Sequence, residues 1–419
     1  MADAPDFTFR DAGLHSRFLR GANRIAGAFG GSVRKRLSFA PDALLDAARR
    51  KTGLADFGED TLREPLEVLQ TSVEHEANLT PFGRLAFHGL LLGALANRLQ
   101  VLDWVKQHPE LKQERIERPW IVIGLPRTGT TLLSFLLGLD PLARPLEQWE
   151  ASQPVPPPEL ATYREDPRIA ECARTFERLQ TLNPPIRAMH PFGATLATEC
   201  VTLLIFDLRS LSLETQAFVP SYGAWLEQTD MRHAYALHEQ ALQLLQSKLP
   251  THAWSLKTPQ HLWSLEAMLE RYPDARVIWT HRDPTKVVPS VASLNTAMQR
   301  MTSDDVDPVR VGGTWNEKLH LAVSRGVEFD RQAQTGWCHH LLYGDLMRDP
   351  IGAMRKLYAH FGDDVHPHHE RLLRAWLEQR PQQAFGRHRY DAGDFGLEPS
   401  AIAERYGEYT SRFGVPAEG

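Results

Sequence analysis

The stretch Trp120–Thr131 constrains the fold of this chain more than any other part of the sequence. It reads WIVIGLPRTGTT, an apolar run with β-branched residues followed by a glycine-containing turn and the start of a helical pattern. A short apolar run bounded by proline and glycine is typical of a strand that is buried on both faces of a parallel sheet. The stretch therefore predicts a strand, a tight turn and a helix in direct succession, which is the repeating unit of α/β domains.

The same turn predicts an anion site. Backbone N–H groups that lead into a helix N-terminus lack partners within the helix, and the helix dipole is positive at this end. Gly124 and Gly129 have the spacing of a nucleotide-binding phosphate loop, but Thr130 stands where ATP-binding loops have lysine, and the cation Arg127 lies upstream instead. Further candidate hydrogen-bond donors to the anion are the hydroxyl groups of Thr128, Thr130 and Thr131. We expect a phosphate or sulfate group here, the alternative being a connection without a ligand.

Strand and helix patterns alternate again in the second half of the chain. Apolar runs at residues 253–256, 275–280 and 337–343 predict further strands, with a helix predicted from His261 to Arg271 between the first two. The fold class is therefore predicted as α/β, with a central parallel sheet of the phosphate-loop type flanked by helices over residues 116–419. Residues 1–115 have helical spacing and are predicted as a helical N-terminal extension.

Composition and charge exclude several classes of function. The 419 residues have a formal net charge of −5, so the overall charge balance does not indicate nucleic acid or an anionic membrane as a partner. The three cysteines are far apart, so neither a disulfide framework nor a zinc site is expected. No secretory signal is visible and the apolar run Leu85–Leu99 is too short to span a bilayer, so we expect a soluble cytoplasmic protein. The basic cluster Arg34–Arg36 is a candidate for contact with an anionic membrane, but a solvated face is the more common role of such a cluster. Oligomeric state is not predicted.

A second anion site is predicted after the strand at 275–280. Arg282 follows this strand, and Ser290 lies eight residues further along the chain. Arg282 at the strand end and Ser290 about two turns into the next helix are placed to bind one phosphate group. An ion pair between Arg282 and Asp283, or a carboxylate at the sheet edge, is the alternative.

These motifs, in this order, resemble the phosphate-loop sulfotransferases that use 3′-phosphoadenosine 5′-phosphosulfate, in particular their soluble bacterial branch. The family's 5′-phosphosulfate loop is similar to residues 126–131, and its 3′-phosphate motif is similar to residues 282–284 with Ser290. Residues 256–262 resemble a strand end that carries lysine, and residues 343–346 resemble a segment that contacts the adenine. Residues 386–390 resemble a segment that closes over the donor. The resemblance covers about residues 119–415.

The resemblance implies an enzyme that transfers a sulfuryl group to a hydroxyl or amine of a small, possibly lipid-like acceptor, by in-line displacement without a metal. Arg127 and Lys257 are the implied catalytic cations that stabilise developing charge. Because Arg127 replaces the lysine of the eukaryotic branch, it is expected to stabilise charge and not to donate a proton. The implied donor-binding residues are Pro126, Arg127, Thr128, Gly129, Thr130, Thr131, Leu132, Arg282, Ser290, Tyr343, Arg387 and His388.

A general base must take the proton of the acceptor. His261 is the first candidate, because it follows Lys257 at the edge where ligands bind in open α/β sheets. Glu199 and His190 are the alternatives, and a helix predicted from about Thr195 would point Glu199 inward. The family uses both histidine and glutamate in this role.

The acceptor pocket is predicted between the N-terminal helices and a helical insertion at about residues 145–235. Aromatic residues of the insertion supply apolar surface, with core packing as the alternative role for most of them: Phe192, Phe206, Phe218, Tyr222 and Trp225. Two other functions are alternatives for a chain with this loop: a phosphate-loop kinase or NTPase, and an inactive nucleotide-binding protein. The absent loop lysine disfavours the first, and the presence of Arg127, Lys257 and His261 disfavours the second.

Overall fold

The computed structural model of the protein describes residues 6–13, 16–28, 30–184, 193–379 and 387–418. The candidate base His190 and the aromatic residue Phe192 lie outside the described residues. The strands within them are β1 (Asp6–Phe7), β2 (Trp120–Gly124), β3 (Ala143–Pro145), β4 (Ala253–Lys257), β5 (Arg276–His281), β6 (Cys338–Leu342) and β7 (Arg387–His388).

Five of these strands form one sheet in the order β3-β4-β2-β5-β6, and every neighbouring pair in it is parallel. The central strand β2 is buried at all five positions, as its continuous apolar sequence predicts. Strands β1 and β7 form a separate parallel pair. The predicted α/β class with a central parallel sheet is confirmed.

Helices cover both faces of the sheet and connect its strands. The α-helices among the described residues are Arg17–Ala28, Gly30–Arg36, Pro41–Thr52, Arg63–His75, Pro81–Gln107, Thr130–Leu137, Gln148–Ser152, Pro167–Leu182, Val201–Leu204, Ser212–Gln216, Pro220–Leu226, Arg232–Gln246, Leu265–Arg271, Pro284–Gln299, Pro308–Gln332, Tyr343–Arg348, Pro350–His360, Pro367–Glu378, Pro399–Arg405 and Gly407–Phe413. Short 3₁₀ segments lie at Phe9–Asp11, Pro109–Gln113, Leu160–Thr162, Ile205–Asp207, Pro259–Trp263 and Ala392–Phe395.

The N-terminal helices share a hydrophobic core with the sheet. Buried Leu66 and Leu91 belong to the same cluster as Ile121 of β2. The helix Pro81–Gln107 is longer than its apolar run suggested, and by length and composition alone it would be long enough to cross a membrane. Its buried leucines belong to the core, so we interpret it as a core helix of this fold. The division of the chain near residue 115 stays a prediction.

Two local predictions were wrong. The helix predicted from His261 to Arg271 is divided into the 3₁₀ segment Pro259–Trp263 and the α-helix Leu265–Arg271. The helix predicted from Thr195 begins at Val201. The Thr258 hydroxyl accepts from Gln260 N and so caps the 3₁₀ segment, while Thr198 N donates to the distant carbonyl oxygen of Leu146 and is not available to a helix at this position.

Candidate active site

The turn after β2 brings its backbone against β5 and the helix Tyr343–Arg348. Gly124 has φ 132°, and a Cβ there would lie 2.6 Å from the carbonyl oxygen of Thr280. Gly129 has φ 90°, and a Cβ there would lie 3.1 Å from Cδ2 of Tyr343. Between them Arg127 has φ 68°, a left-handed conformation that is uncommon for a residue with a side chain. Close packing of Thr280 against Gly124 and of Tyr343 against Gly129 therefore fixes the backbone conformation of the loop.

The three loop threonines have different roles. The hydroxyl of buried Thr128 donates to the carbonyl oxygen of Leu125 at 2.7 Å and lies 2.6 Å from Oγ1 of Thr280, so it ties the loop to β5. The prediction that this hydroxyl is offered to a ligand was therefore wrong. Thr130 and Thr131, at the N-terminus of the helix Thr130–Leu137, line a cavity together with Pro126, Arg127, Gly129 and Leu132.

Arg127 connects the two predicted anion sites. Its Nε donates to Oγ of Ser290 at 3.1 Å, and its backbone oxygen accepts from Nη1 of Arg282 at 3.0 Å. Burial lowers the pKa of Arg127 from its usual value, and the neighbouring charge of Arg282 lowers it further. The structure therefore brings Arg127, Ser290 and Arg282 into one cluster, although they come from separate parts of the sequence.

Arg282 forms an ion pair, which is the alternative role given above, but with a carboxylate that the sequence did not indicate. Its Nε and Nη2 donate to the two carboxylate oxygens of Glu418, each at 2.9 Å, and its guanidinium lies 4.0 Å from the ring centre of Tyr343. The backbone N–H of Glu418 donates to Oδ2 of Asp283 at 2.7 Å. Burial disfavours the charge of Arg282, but the Glu418 carboxylate outweighs it and the pKa of Arg282 is raised. No motif marks Glu418, because the contact joins residues 136 positions apart.

Lys257 and Glu199 form an ion pair at the end of β4. Nζ of the buried Lys257 donates to Oε1 of Glu199 at 2.8 Å, and the hydroxyl of Thr258 lies 3.4 Å from Oε2. The backbone N–H of Cys200 donates to the carbonyl oxygen of Lys257 at 2.9 Å. This bond places the segment that carries Glu199 beside the strand end. Both Lys257 and Glu199 line the same cavity as Arg127.

His261 does not reach this cavity, contrary to its predicted role as the base. It is fully buried, and its Nδ1 lies 2.7 Å from the hydroxyl of Tyr235. Burial, and secondarily the nearby His238, hold the pKa of His261 well below its usual value. The 3₁₀ turn at Pro259–Trp263 places the side chain in the core, where it cannot accept a proton from a substrate in the cavity.

The cavity has a volume of about 540 Å³ and combines a charged region with apolar walls. The charged and polar lining includes Arg127, Lys257, Glu199, Arg282 and Tyr343. The apolar lining includes Leu196, Leu211, Val291, Leu294, Met298 and Trp315. Such a combination suits a ligand with an anionic part and a hydrophobic part.

The predicted walls of the acceptor pocket were only partly right. The insertion contributes lining residues such as Leu196 and Leu211, but none comes from the described part of residues 1–115. Phe206 and Tyr222 lie in the core, and Phe218 and Trp225 pack against it. The wall formed by the helices Pro284–Gln299 and Pro308–Gln332 was not predicted, because its leucine, methionine and tryptophan are indistinguishable from core residues in a linear pattern.

The last two predicted donor-binding residues, Arg387 and His388, form the short strand β7. The structure describes their backbone and not their side chains, so their contact with a donor stays a prediction.

Comparisons with known proteins agree with this architecture. A sequence model of the sulfotransferase family matches residues 119–367. The crystal structure of sulfotransferase STF9 from Mycobacterium avium is 33% identical, with a TM-score of 0.83 over 90% of this chain and 97% of that one. The crystal structure of sulfotransferase STF1 from Mycobacterium tuberculosis H37Rv is 32% identical, with a TM-score of 0.79 over 88% of this chain and 98% of that one.

Similarity also extends to omega-hydroxy-beta-dihydromenaquinone-9 sulfotransferase Stf3 of Mycobacterium bovis and of Mycobacterium tuberculosis. Each is 30% identical to this chain over 174 residues, which is 40% of this chain and 40% of the length of that relative. The family match covers more than half of the chain, and it includes the loop after β2, Lys257, Arg282 and Tyr343. As the order of its motifs predicted, the chain belongs to the sulfotransferase family.

Proposed function

We propose that the protein transfers a sulfuryl group from 3′-phosphoadenosine 5′-phosphosulfate to a hydroxyl group of a hydrophobic acceptor. The observation that carries this proposal is the single cavity in which Arg127, Lys257 and Arg282 share the lining with Glu199 and with apolar walls. The charged region of the cavity suits an anionic donor, and its apolar walls suit an apolar acceptor.

The residues present suit the donor, which carries anionic groups at two ends. The loop N–H groups at the start of the helix Thr130–Leu137, together with Arg127, provide donors for the phosphosulfate. Arg282 and Ser290 provide donors for the 3′-phosphate, with the guanidinium of Arg282 offering two parallel N–H groups.

The proposed reaction is an in-line displacement at sulfur. The acceptor oxygen forms a bond to sulfur while the bond from sulfur to the bridging oxygen of the donor phosphate breaks, and the acceptor proton passes to a carboxylate oxygen of Glu199. Negative charge moves to the bridging oxygen, where Arg127 and Lys257 stabilise it.

The ion pair between Lys257 and Glu199 couples these two events. Before reaction, the 2.8 Å contact orients the Glu199 carboxylate, whose oxygens can accept the proton of the acceptor. Once Glu199 is protonated, Lys257 loses its anionic partner and its charge becomes available to the leaving oxygen. Lysine has three N–H donors, so one side chain can serve both partners. Glu199 is thus our candidate base in place of His261.

For the acceptor we propose an alcohol with a long apolar group. The apolar walls, formed by residues such as Leu294, Met298 and Trp315, support this class. The relative Stf3 is named for a hydroxylated menaquinone, which is an acceptor of this kind. The predicted cytoplasmic location stays a prediction.

Calorimetry with adenosine 3′,5′-bisphosphate, the nucleotide product, tests the donor. The bisphosphate should bind more tightly than adenosine 5′-monophosphate and than ATP with Mg²⁺, because only it offers a 3′-phosphate to Arg282. Preference for ATP would contradict the proposal and favour a kinase. Transfer of radiolabelled sulfate from the donor to hydroxylated prenyl compounds of increasing chain length, with short-chain alcohols as controls, then tests the acceptor class.

A further inference from the structure

The N-terminal segment between residues 12 and 41 has a charge opposite to that of the whole chain. It contains no aspartate or glutamate, whereas the full chain has a formal net charge of −5. Its six basic residues are all exposed and form no ion pair with any described acidic residue: Arg17, Arg20, Arg24, Arg34, Lys35 and Arg36. Six unpaired cations in two short helices form a strongly basic surface.

Large apolar side chains are exposed beside these cations. Phe18 is 81% exposed and Ile25 is 69% exposed, and both lie in the helix Arg17–Ala28. They are seven residues apart, which places them on the same side of the helix two turns from each other. Arg17 and Arg24 directly precede these two residues and are also seven residues apart, so a basic stripe runs along the helix next to the apolar one.

The other side of this helix is attached to the protein. Oδ1 of Asn23 accepts from the backbone N–H of Phe82 at 2.8 Å, and Leu19 and Ala26 on the same side are partly buried. The helix contacts Pro81–Gln107, where a further apolar side chain, Leu85, is 55% exposed. Of the seven exposed large hydrophobic residues among the described ones, three therefore lie on these two contacting helices.

We propose that this N-terminal basic surface, defined by Phe18, Ile25 and the six basic residues, docks on an anionic lipid bilayer. Aromatic and aliphatic side chains beside a basic stripe are typical of helices that lie in the membrane interface, with the apolar groups below the headgroups and the cations against lipid phosphates. Charge selects this occupant over a second copy of the chain, because a symmetric contact would bring six cations against six cations.

The proposal rests on the surface alone, and it complements the proposed function because a hydrophobic acceptor resides in a bilayer. Its test measures binding to lipid and does not depend on turnover. Failure of vesicle binding and failure of nucleotide binding are therefore separate results, the first concerning this surface and the second concerning the donor site.

Co-sedimentation with vesicles of phosphatidylcholine, with and without phosphatidylglycerol, tests the proposal on the full chain. Binding should require phosphatidylglycerol and weaken with added salt, because exposed charges are screened. The double variant Phe18→Ser/Ile25→Ser should bind roughly 10-fold more weakly, since its apolar groups no longer enter the interface. The triple variant Arg17→Gln/Arg20→Gln/Arg24→Gln should bind roughly 100-fold more weakly, at about fivefold per charge.

The matched control is Leu142→Ser/Leu160→Ser, which removes two exposed apolar side chains elsewhere and should bind as the wild type does. Each variant should retain the nucleotide affinity of the wild type, which shows that it is folded. Equal binding by the Phe18/Ile25 variant, or equal binding to neutral vesicles, would overturn the proposal. Sedimentation velocity that shows self-association of the wild type but not of Phe18→Ser/Ile25→Ser would also overturn the proposal.

Discussion

Replacing Glu418 with glutamine should strengthen the binding of adenosine 3′,5′-bisphosphate. In the structure both carboxylate oxygens of Glu418 accept from Arg282 at 2.9 Å, so they occupy the N–H groups that a 3′-phosphate needs. The two side chains are 19% and 32% exposed, and a pair with this much access to water contributes about 0.5–1 kcal/mol. Removing this competitor should therefore tighten binding by about 2- to 5-fold.

Calorimetric titration of the wild type and Glu418→Gln with the bisphosphate measures this change. Adenosine 5′-monophosphate serves as the ligand control, because it has no 3′-phosphate and should bind both proteins equally. Glu404→Gln serves as the variant control, because Glu404 is exposed and has no ion pair with a described residue. Unchanged or weaker bisphosphate binding by Glu418→Gln would refute the idea that the carboxylate and the 3′-phosphate compete for Arg282.

Three further predictions concern the site and its surroundings. Arg282→Ala should weaken bisphosphate binding by about 10- to 100-fold and 5′-monophosphate binding little, because only the bisphosphate loses hydrogen bonds to a charged group. Equal losses of affinity for the two nucleotides would mean that Arg282 does not recognise the 3′-phosphate. Glu199→Gln should lower kcat by about 100-fold or more at unchanged bisphosphate affinity, and full turnover would exclude Glu199 as the base. His261→Gln should retain turnover and lose less stability in acid than the wild type does. Burial keeps the pKa of His261 well below its usual value. Below about pH 6.5 the unfolded wild-type chain therefore takes up a proton at this residue that the folded chain does not. Between about pH 7 and about pH 5.5, urea unfolding should show that the wild type loses about 1.3 kcal/mol more stability than His261→Gln, and parallel losses would contradict the assignment of a neutral buried imidazole.

Some local features of the chain were predicted correctly because they depend only on neighbouring residues. The apolar run of β2 and the glycines after it specify a buried strand and a tight turn within a few positions. Asp283 and Asp349 cap their helices through bonds of 2.8 Å to the N–H groups of Thr285 and Gly352, which are also local contacts. The structure also brings Arg127 and Arg282 together, because the adjacent parallel strands β2 and β5 end at one edge of the sheet.

The sequence by itself therefore determined the α/β class, the strand and tight turn of the phosphate-loop motif, and the family, because short ordered motifs specify all three. Only the tertiary structure decided which polar residues meet in the cavity. It buried His261, placed Glu199 beside Lys257, and brought Glu418 onto Arg282. The physical reason is that periodicity and capping act over a few residues, whereas contacts between residues far apart in the chain are selected by the packing of the whole core.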